Sequence, residues 1–186
     1  MKIIKKEVAK DFIFETLETF VTSFVILMII YVFLAFPIIV HGASMEPNLE
    51  TGQRIIVEKI TKNFDGYKRG DIVVLHPPGN KNVDYVKRII GLPGETIKIN
   101  ECRVFVTKGS QRFELNESYL SPDLCTKGGP WIREGRSISI PEDNYLVLGD
   151  NRAKSVDSRF FGLVSKDLIL GKVIFRFWPL DKIGIL

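Results

Sequence analysis

Hydrophobic residues are distributed in two different ways along this chain of 186 residues. The first is a continuous run from Thr19 to Val40, which contains no charged residue. As a helix, a run of this length would be about 33 Å long, which is enough to cross a bilayer. A cleavable signal peptide has a shorter apolar core close to its basic start, so the pattern favours an uncleaved signal anchor. The alternative is a buried core helix, although such helices rarely lack charges over this length.

Beyond this run, short β-branched stretches alternate with glycine-rich and proline-rich turns, which is the pattern of β-strands. Residues 108–136 have the most loop-like composition, and no long amphipathic helical pattern follows the apolar run. The sequence therefore predicts a mainly β domain. The predicted strands cover residues 54–60, 71–76, 83–90, 96–99, 103–106, 137–140, 145–148 and 168–178.

The predicted organisation has three parts: an N-terminal segment 1–18, a transmembrane anchor 19–40 and a folded domain 41–186. The first lysine or arginine after the apolar run is Arg54, whereas four lysines precede the run: Lys2, Lys5, Lys6 and Lys10. Basic residues near a span favour its cytoplasmic side. We therefore expect a single-pass protein of the cell membrane, with a cytoplasmic N-terminus and an extracytoplasmic domain.

Charge and cysteine content narrow the function further. The net charge of +4 arises from 26 basic and 22 acidic residues spread along the chain, without the basic block or stripe that nucleic-acid binding requires. Cys102 and Cys125 would lie in a compartment where a disulfide can form, but two buried free thiols are equally compatible with their spacing.

The aromatic residues near the C-terminus could pack in the core or contact the bilayer interface: Phe160, Phe161, Phe175, Phe177 and Trp178.

Ser44 follows the end of the apolar run by four residues, so a nucleophile there would act near a membrane surface. A serine hydroxyl is a weak nucleophile until a base takes its proton, and most serines in such a position are linker or cap residues. Neither His41 nor His76 lies in a sequence context typical of a catalytic triad. Lysine offers a better-placed candidate base.

Lys87 and Arg88 are neighbours in a predicted strand, so their side chains point to opposite faces. Alternation groups Lys87 with Tyr85 and Ile89. One of the two cations must therefore lie among apolar neighbours. Burial disfavours the ammonium form, so a lysine there has a lowered pKa and can act as a base, whereas arginine stays charged. A lysine that extends its charge to water is the alternative.

A third polar segment spans residues 149–162 and combines carboxylates, arginines and hydroxyls behind a Gly-Asp-Asn turn. Taken alone, it could be an exposed charged loop. Together with three other segments in the same order, however, it resembles the sequence boxes of the type I signal peptidases, the bacterial leader peptidases. The other three boxes are residues 44–49, 69–74 and 85–94. Four long boxes behind an anchor are a far more specific match than any single motif.

The resemblance implies an antiparallel β fold and a Ser/Lys endopeptidase that removes signal peptides after small residues, without metal or cofactor. Ser44 would be the nucleophile and Lys87 the general base. Ser155 resembles the hydroxyl that orients the lysine amine. The remaining supporting residues implied by the resemblance are Asp157, Arg159, Asp150, Arg88 and Arg152.

Several positions depart from the family pattern. The resemblance assigns the backbone amide of Ser44 to the oxyanion hole, but Gly42 lacks the hydroxyl that some members place there, so the second donor stays open. Asn48 stands where threonine is common, and Ala153-Lys154 stands where Asp-Asn is common. These departures concern loop contacts and leave Ser44 and Lys87 unaffected.

The expected partners are preproteins with signal peptides and the lipid bilayer, with a monomer as the favoured state. By resemblance, the substrate binds as an added β-strand over shallow apolar pockets. Two alternatives remain: a non-catalytic anchored β-domain that binds an extracytoplasmic partner, and a dedicated or organellar peptidase of the same family. The residues expected to line the pockets are Val40, Met45, Ile55, Val74, Tyr85 and Val86.

Overall fold

We describe the fold from a computed structural model, which covers residues 2–64, 66–121 and 123–186. The chain divides into two compact units, one ending at Phe36 and the other comprising Pro37–Leu186. The first unit is helical and the second is built from β-strands.

The N-terminal unit is dominated by helix α1 (Lys2–Ile29), which continues into a π-helical turn, Ile30–Leu34. Within α1, the segment Phe12–Ile29 is long and apolar enough to cross a membrane. The apolar run does not stay helical to Val40, because Ala35–Ile39 forms strand β1. Pro37 explains this change, since proline lacks the amide hydrogen a helix needs and disfavours helical geometry in the residue before it.

The described residues form twelve strands and one further short helix, α2 (Ser158–Phe161). Three single 3₁₀ turns, at 61–63, 166–168 and 180–182, connect strands. After β1, the strands are β2 (Arg54–Glu58), β3 (Ile72–Leu75), β4 (Tyr85–Gly91), β5 (Thr96–Asn100), β6 (Arg103–Lys108), β7 (Gln111–Glu114), β8 (Ser137–Ser139), β9 (Asn144–Leu148), β10 (Val164–Ser165), β11 (Ile169–Trp178) and β12 (Gly184–Ile185).

All eight strands predicted from the sequence are present, with ends that differ by one or two residues, and the predicted mainly β class is confirmed. The region 108–136 is not entirely loop, because it contains β7. All four residues of β7 are exposed, so this strand lacks the alternation of apolar and polar positions by which a half-buried strand is recognised.

The strands form two antiparallel sheets. The larger has the order β1-β2-β11-β3-β4-β9-β10, and β12 adds to β11. The smaller has the order β7-β6-β5-β8. The strand pairs of β3 with β4 and of β4 with β9 are antiparallel, as the resemblance implies.

Strands β4 and β9 are buried on both faces, because each contributes alternate residues to two hydrophobic cores. Ile90 and Leu146 belong to a core shared with the smaller sheet. Ile89 and Val147, their neighbours in sequence, belong to the other core together with Val73. Burial of apolar surface is the dominant stabilising contribution in folding, so these two strands are fixed from both sides.

The sequence left the pairing of Cys102 with Cys125 open, and the structure contains this disulfide. It joins the turn between β5 and β6 to the segment between β7 and β8. Core packing, one of the two expected roles of the aromatic residues near the C-terminus, is observed for only some of them. Phe161 packs against the core that contains Val147, whereas Phe160 and Trp178 are 48% and 45% exposed.

Candidate active site

Ser44 lies in a turn between β1 and β2 that is anchored by two fully buried side chains, Met45 and Leu49. The turn is closed by a hydrogen bond from Leu49 N to Met45 O of 2.9 Å. Asn151 N donates to Ser44 O at 3.0 Å, which ties the turn to the segment after β9. Ser44 is half-buried, so its hydroxyl is held in place and still borders solvent.

Lys87 has the position in β4 that strand alternation predicts. Opposite it on β3 is Val73, and Tyr85 and Ile89 on its own strand pack in the same core. Lys87 is only 3% exposed, so its amine does not extend to water. The Nζ atom lies 2.8 Å from Ser44 Oγ and donates to the backbone carbonyl of Val86 at 2.9 Å.

The environment of Lys87 raises the population of the neutral amine above that of an exposed lysine. Burial lowers the pKa of Lys87 to about 8, because the ammonium form loses its hydration inside the domain. The negative charges of Asp157 and Asp150 oppose this shift without cancelling it. An uncharged amine within hydrogen-bond distance of a hydroxyl can act as a general base.

Asp157 and Arg159 form a buried ion pair behind the serine and lysine. Arg159 donates to both carboxylate oxygens of Asp157, from Nε and from Nη2, each at 2.8 Å. The same carboxylate accepts Gly149 N at 3.1 Å, and Arg159 Nη2 also donates to Arg152 O at 2.7 Å. A buried charge pair with this many hydrogen bonds fixes the backbone of the whole 149–159 segment.

Asp150 and Arg88 form a second ion pair, with Arg88 Nε and Nη2 donating to the two carboxylate oxygens at 2.8 and 2.6 Å. Arg88 Nη1 donates to Gly70 O at 2.8 Å. The Arg88 guanidinium carbon lies 4.1 Å from the centroid of the Tyr119 ring. Because Arg88 follows Lys87 in β4, this pair holds the strand that carries the amine.

Arg152 is buried and binds residues that the sequence did not single out. Its Nε atom donates to Gly149 O at 3.0 Å, and its guanidinium binds the Glu117 carboxylate and the Thr126 hydroxyl. Tyr119 Oη donates to Glu117 at 2.6 Å. Glu117, Tyr119 and Thr126 all lie in the predicted loop 108–136. No local pattern marks them, because their partners are distant in sequence.

Ser155 differs from the expectation taken from the resemblance. Its Oγ atom is buried, and in the described part of the chain it has no hydrogen-bond partner, so the expected bond to the Lys87 amine is not formed. The hydroxyl does lie close to the nucleophile turn. A Cβ atom at Gly149 would be 2.2 Å from Ser155 Oγ and 2.5 Å from Ser44 O, so only glycine fits between them.

The departures from the family pattern have local explanations. Gly42 has a φ of +87°, a conformation that favours glycine over serine. Asn48 is half-buried, and its Nδ2 atom donates to Asp150 Oδ2 and to Tyr119 O, both at 2.9 Å. Ala153 and Lys154 are exposed, which is consistent with free variation there.

Four of the six residues expected to line substrate pockets are at most 2% exposed: Val40, Met45, Ile55 and Val74. They can contribute only to the floor of a pocket. Tyr85 and Val86 are half-buried and border the surface. Among the described residues, no group of three or more His, Cys, Asp or Glu side chains is arranged to hold a metal ion.

Comparison with known proteins gives the family. The model of the family described as signal peptidase, peptidase S26, matches residues 13–178. The chain is 39% identical to signal peptidase IB of Staphylococcus aureus (strain COL) over 184 residues, which cover 93% of each chain. It is 36% identical to the probable signal peptidase I-2 of Synechocystis over 174 residues, covering 91% of this chain and 75% of the relative.

A crystal structure of a signal peptidase I from Enterococcus faecalis V583 is also similar. It is 29% identical and superposes with a TM-score of 0.46, covering 57% of this chain and 95% of the other. The family match over most of the chain and the identity to relatives of similar length carry the assignment. The chain therefore belongs to the peptidase S26 family of signal peptidases, serine endopeptidases that cleave signal peptides from preproteins.

Proposed function

We propose that Ser44 is the nucleophile and Lys87 the general base with which this signal peptidase cleaves its substrates. The observation that carries the proposal is the 2.8 Å distance between Lys87 Nζ and Ser44 Oγ in a site where the lysine is 3% exposed. This is the geometry that proton transfer from a hydroxyl to an amine requires. No histidine participates in this proposed dyad.

In the acylation step, the neutral amine of Lys87 takes the hydroxyl proton while Ser44 Oγ attacks the carbonyl carbon of the scissile peptide bond. The resulting ammonium donates its proton to the leaving nitrogen as the C–N bond breaks. The mature protein leaves with a free amine, and the signal peptide remains as an ester on Ser44. Lys87 then takes a proton from water, which attacks the ester and releases the signal peptide, while Oγ regains its proton.

The backbone amide of Ser44 is the proposed oxyanion donor. It makes no hydrogen bond to any described residue, so it is available to the negative charge that develops on the carbonyl oxygen. The ion pairs Asp157–Arg159 and Asp150–Arg88 are proposed to hold Ser44 and Lys87 in register. Arg152 would support the same segment through Gly149 O, and the buried Ser155 hydroxyl, which has no partner among the described residues, is proposed to orient the Lys87 amine during the reaction.

We also propose that the site selects small residues at the first and third positions before the cleaved bond. The support is that Val40, Met45, Ile55 and Val74 are packed in the domain core, so they leave only shallow depressions at the surface. Tyr85 and Val86 would border these depressions. Large substrate side chains would then clash with a filled core.

For the whole chain, we propose the helical part of the apolar run, residues 19–34, as the membrane anchor, with 1–18 in the cytoplasm and the chain from strand β1 onwards outside. The support is a helix that is long and apolar enough to span, preceded by basic residues. The proposed unit is a monomer, because both members of the dyad and both supporting ion pairs come from one chain.

The test is to incubate the full-length protein in detergent or lipid with a secretory precursor. Ser44→Ala and Lys87→Ala are each expected to lower processing by at least about 10³-fold, because each removes a group that changes bonds in the reaction. Ser110→Ala and Lys154→Ala are matched controls at exposed positions and should process the precursor like the wild type. Wild-type processing by either dyad variant would refute the assignment.

A further inference from the structure

Asn48 connects the turn that carries Ser44 to the strand that carries Lys87. Both hydrogens of its amide are used, one on Asp150 Oδ2 and one on Tyr119 O. Asp150 in turn accepts two hydrogen bonds from Arg88, the residue that follows Lys87 in β4. Two side chains, Asn48 and Asp150, therefore link the turn that carries Ser44 to Arg88 in the strand that carries Lys87.

We propose that Asn48 is a positioning residue, whose amide holds the Ser44 turn in the register that keeps the Ser44 hydroxyl against the Lys87 amine. The inference rests on the Ser44 and Lys87 assignment made above. It adds to the residues that support the site Asn48, which contacts neither the substrate nor the Lys87 amine. Asn48 stands where the family commonly has threonine, which has one hydrogen-bond donor instead of two.

The backbone of Asn48 is fixed from the opposite side. Arg176 Nη1, on β11, donates to Asn48 O at 2.9 Å and to Gln53 Oε1 at 3.1 Å, and Arg176 Nε donates to Lys182 O at 2.6 Å. Residue 48 is thus bound through its carbonyl to β11 of the larger sheet and through its amide to Asp150 and Tyr119, which lie outside the strands. Because residue 48 is bound through both its carbonyl and its side-chain amide, the turn that carries Ser44 has little freedom to move.

The chemistry of the site favours an amide over the obvious replacements. Asparagine supplies two neutral donors, and both acceptors here, Asp150 Oδ2 and Tyr119 O, need a donor. Threonine supplies one donor and could bind only one of them. Aspartate has the same shape but supplies none when ionised, and it would place a second negative charge beside Asp150.

The expected effect of losing these bonds is on the chemical step. Displacement of a reacting atom by about 1 Å can cost roughly 10²-fold in rate. Asn48 does not contact the proposed pocket residues Tyr85 or Val86 through any hydrogen bond, so substrate binding should change little. A large fall in kcat with a nearly constant KM, in a variant whose denaturant midpoint of unfolding is unchanged, therefore distinguishes positioning from a loss of folded enzyme.

The experiment compares Asn48→Leu, Asn48→Asp and Asn48→Thr in the full-length protein, with kcat and KM measured on a signal-peptide substrate. We expect a 10- to 100-fold lower kcat for Asn48→Leu and Asn48→Asp, with KM within about threefold, and a smaller fall in kcat for Asn48→Thr, which can keep one of the two hydrogen bonds. Asn80→Leu, in an exposed turn, is the matched control and should have wild-type kinetics.

Wild-type kcat in Asn48→Leu or Asn48→Asp would overturn the proposal, and so would an Asn48→Thr variant as slow as Asn48→Leu. If Asn48→Leu does not fold, the comparison of the aspartate and threonine variants decides the question alone. A failure of the Asn48 proposal can be distinguished from a failure of the Ser44 and Lys87 assignment. An inactive Ser44→Ala with a fully active Asn48→Asp would reject the role of Asn48 and leave the Ser44 assignment intact.

Discussion

At the scale of single residues, the burial of Lys87 is what would allow its amine to serve as the proposed base near neutral pH. With a pKa of about 8, roughly a tenth of the lysine is neutral at pH 7, about 300 times more than for a lysine with the ordinary value of 10.5. Arg88 could not take this role, because its guanidinium stays protonated. The order Lys-Arg in β4 thus assigns the base to one face and a structural cation to the other.

The rate should therefore follow the titration of Lys87. Because only the neutral amine would accept the serine proton, kcat/KM for a peptide without groups that titrate in this range should rise with pH, reach half its maximum near pH 8 and level off above about pH 9. Steady-state rates from pH 6 to 10 provide the measurement. A flat profile over this range would argue against a lysine base. An increase that continued without levelling off up to pH 10 would indicate that Lys87 is not buried in the working enzyme.

Residue-scale features were only partly predictable. Alternation along β4 predicted that either Lys87 or Arg88 lies among apolar neighbours, since neighbouring side chains in a strand point to opposite faces, and in the structure Lys87 does. It carried no information on the distance to Ser44, which is 43 residues away in sequence. It likewise did not predict that the Ser155 hydroxyl has no hydrogen-bond partner among the described residues.

At the scale of elements, the segment between β7 and β8 supports the site although its sequence resembles a loop. Tyr119 lies against Arg88, and Glu117 and Thr126 bind Arg152. Lys127 O accepts Arg159 Nη1 at 3.3 Å. One irregular segment therefore contacts three of the arginines that organise the site, and the Cys102–Cys125 disulfide anchors it to the smaller sheet.

Removing that disulfide should weaken both the domain and its catalysis. The bond closes a loop with a sequence separation of 23, for which chain entropy gives about 3 kcal/mol of stabilisation. We expect the double variant Cys102→Ser, Cys125→Ser to unfold at lower denaturant concentration and to show a several-fold lower kcat, because Thr126 adjoins Cys125.

Denaturant unfolding followed by fluorescence and kinetics on the same peptide provide the two measurements for this variant. Wild-type protein treated with a dithiol reductant should behave in the same way. Unchanged stability and unchanged kcat in the double variant would show that the segment is held without the disulfide.

At the scale of the whole molecule, the chain combines an apolar helix with a β-sheet unit that begins at Pro37. A signal peptide carries its own apolar segment. If enzyme and precursor are both confined to one membrane, they meet at a much higher effective concentration than in solution. The anchor would therefore contribute to the choice of substrate without contacting the scissile bond.

Deleting residues 2–34, which keeps β1 intact, should separate the contribution of the helix to meeting the substrate from the contribution of the β-sheet unit to cleavage. We expect the shortened enzyme to cleave a soluble peptide within about threefold of the full-length rate, because the proposed dyad and its ion pairs lie in the β-sheet unit. Processing of a precursor inserted in lipid vesicles should fall by 10-fold or more, in line with the usual effect of losing co-localisation. Equal losses on both substrates would indicate that the helix is needed for folding instead.

The sequence by itself determined the features that depend on local order along the chain. Periodicity of apolar residues revealed the N-terminal helix and eight strands, and four ordered boxes revealed the peptidase family. Tertiary structure alone decided that Cys102 pairs with Cys125 and that the end of the apolar run forms strand β1. It also decided that Asn48, Glu117 and Tyr119 surround the site. These features depend on contacts between residues far apart in the chain, and no local pattern encodes which distant partner a side chain will meet.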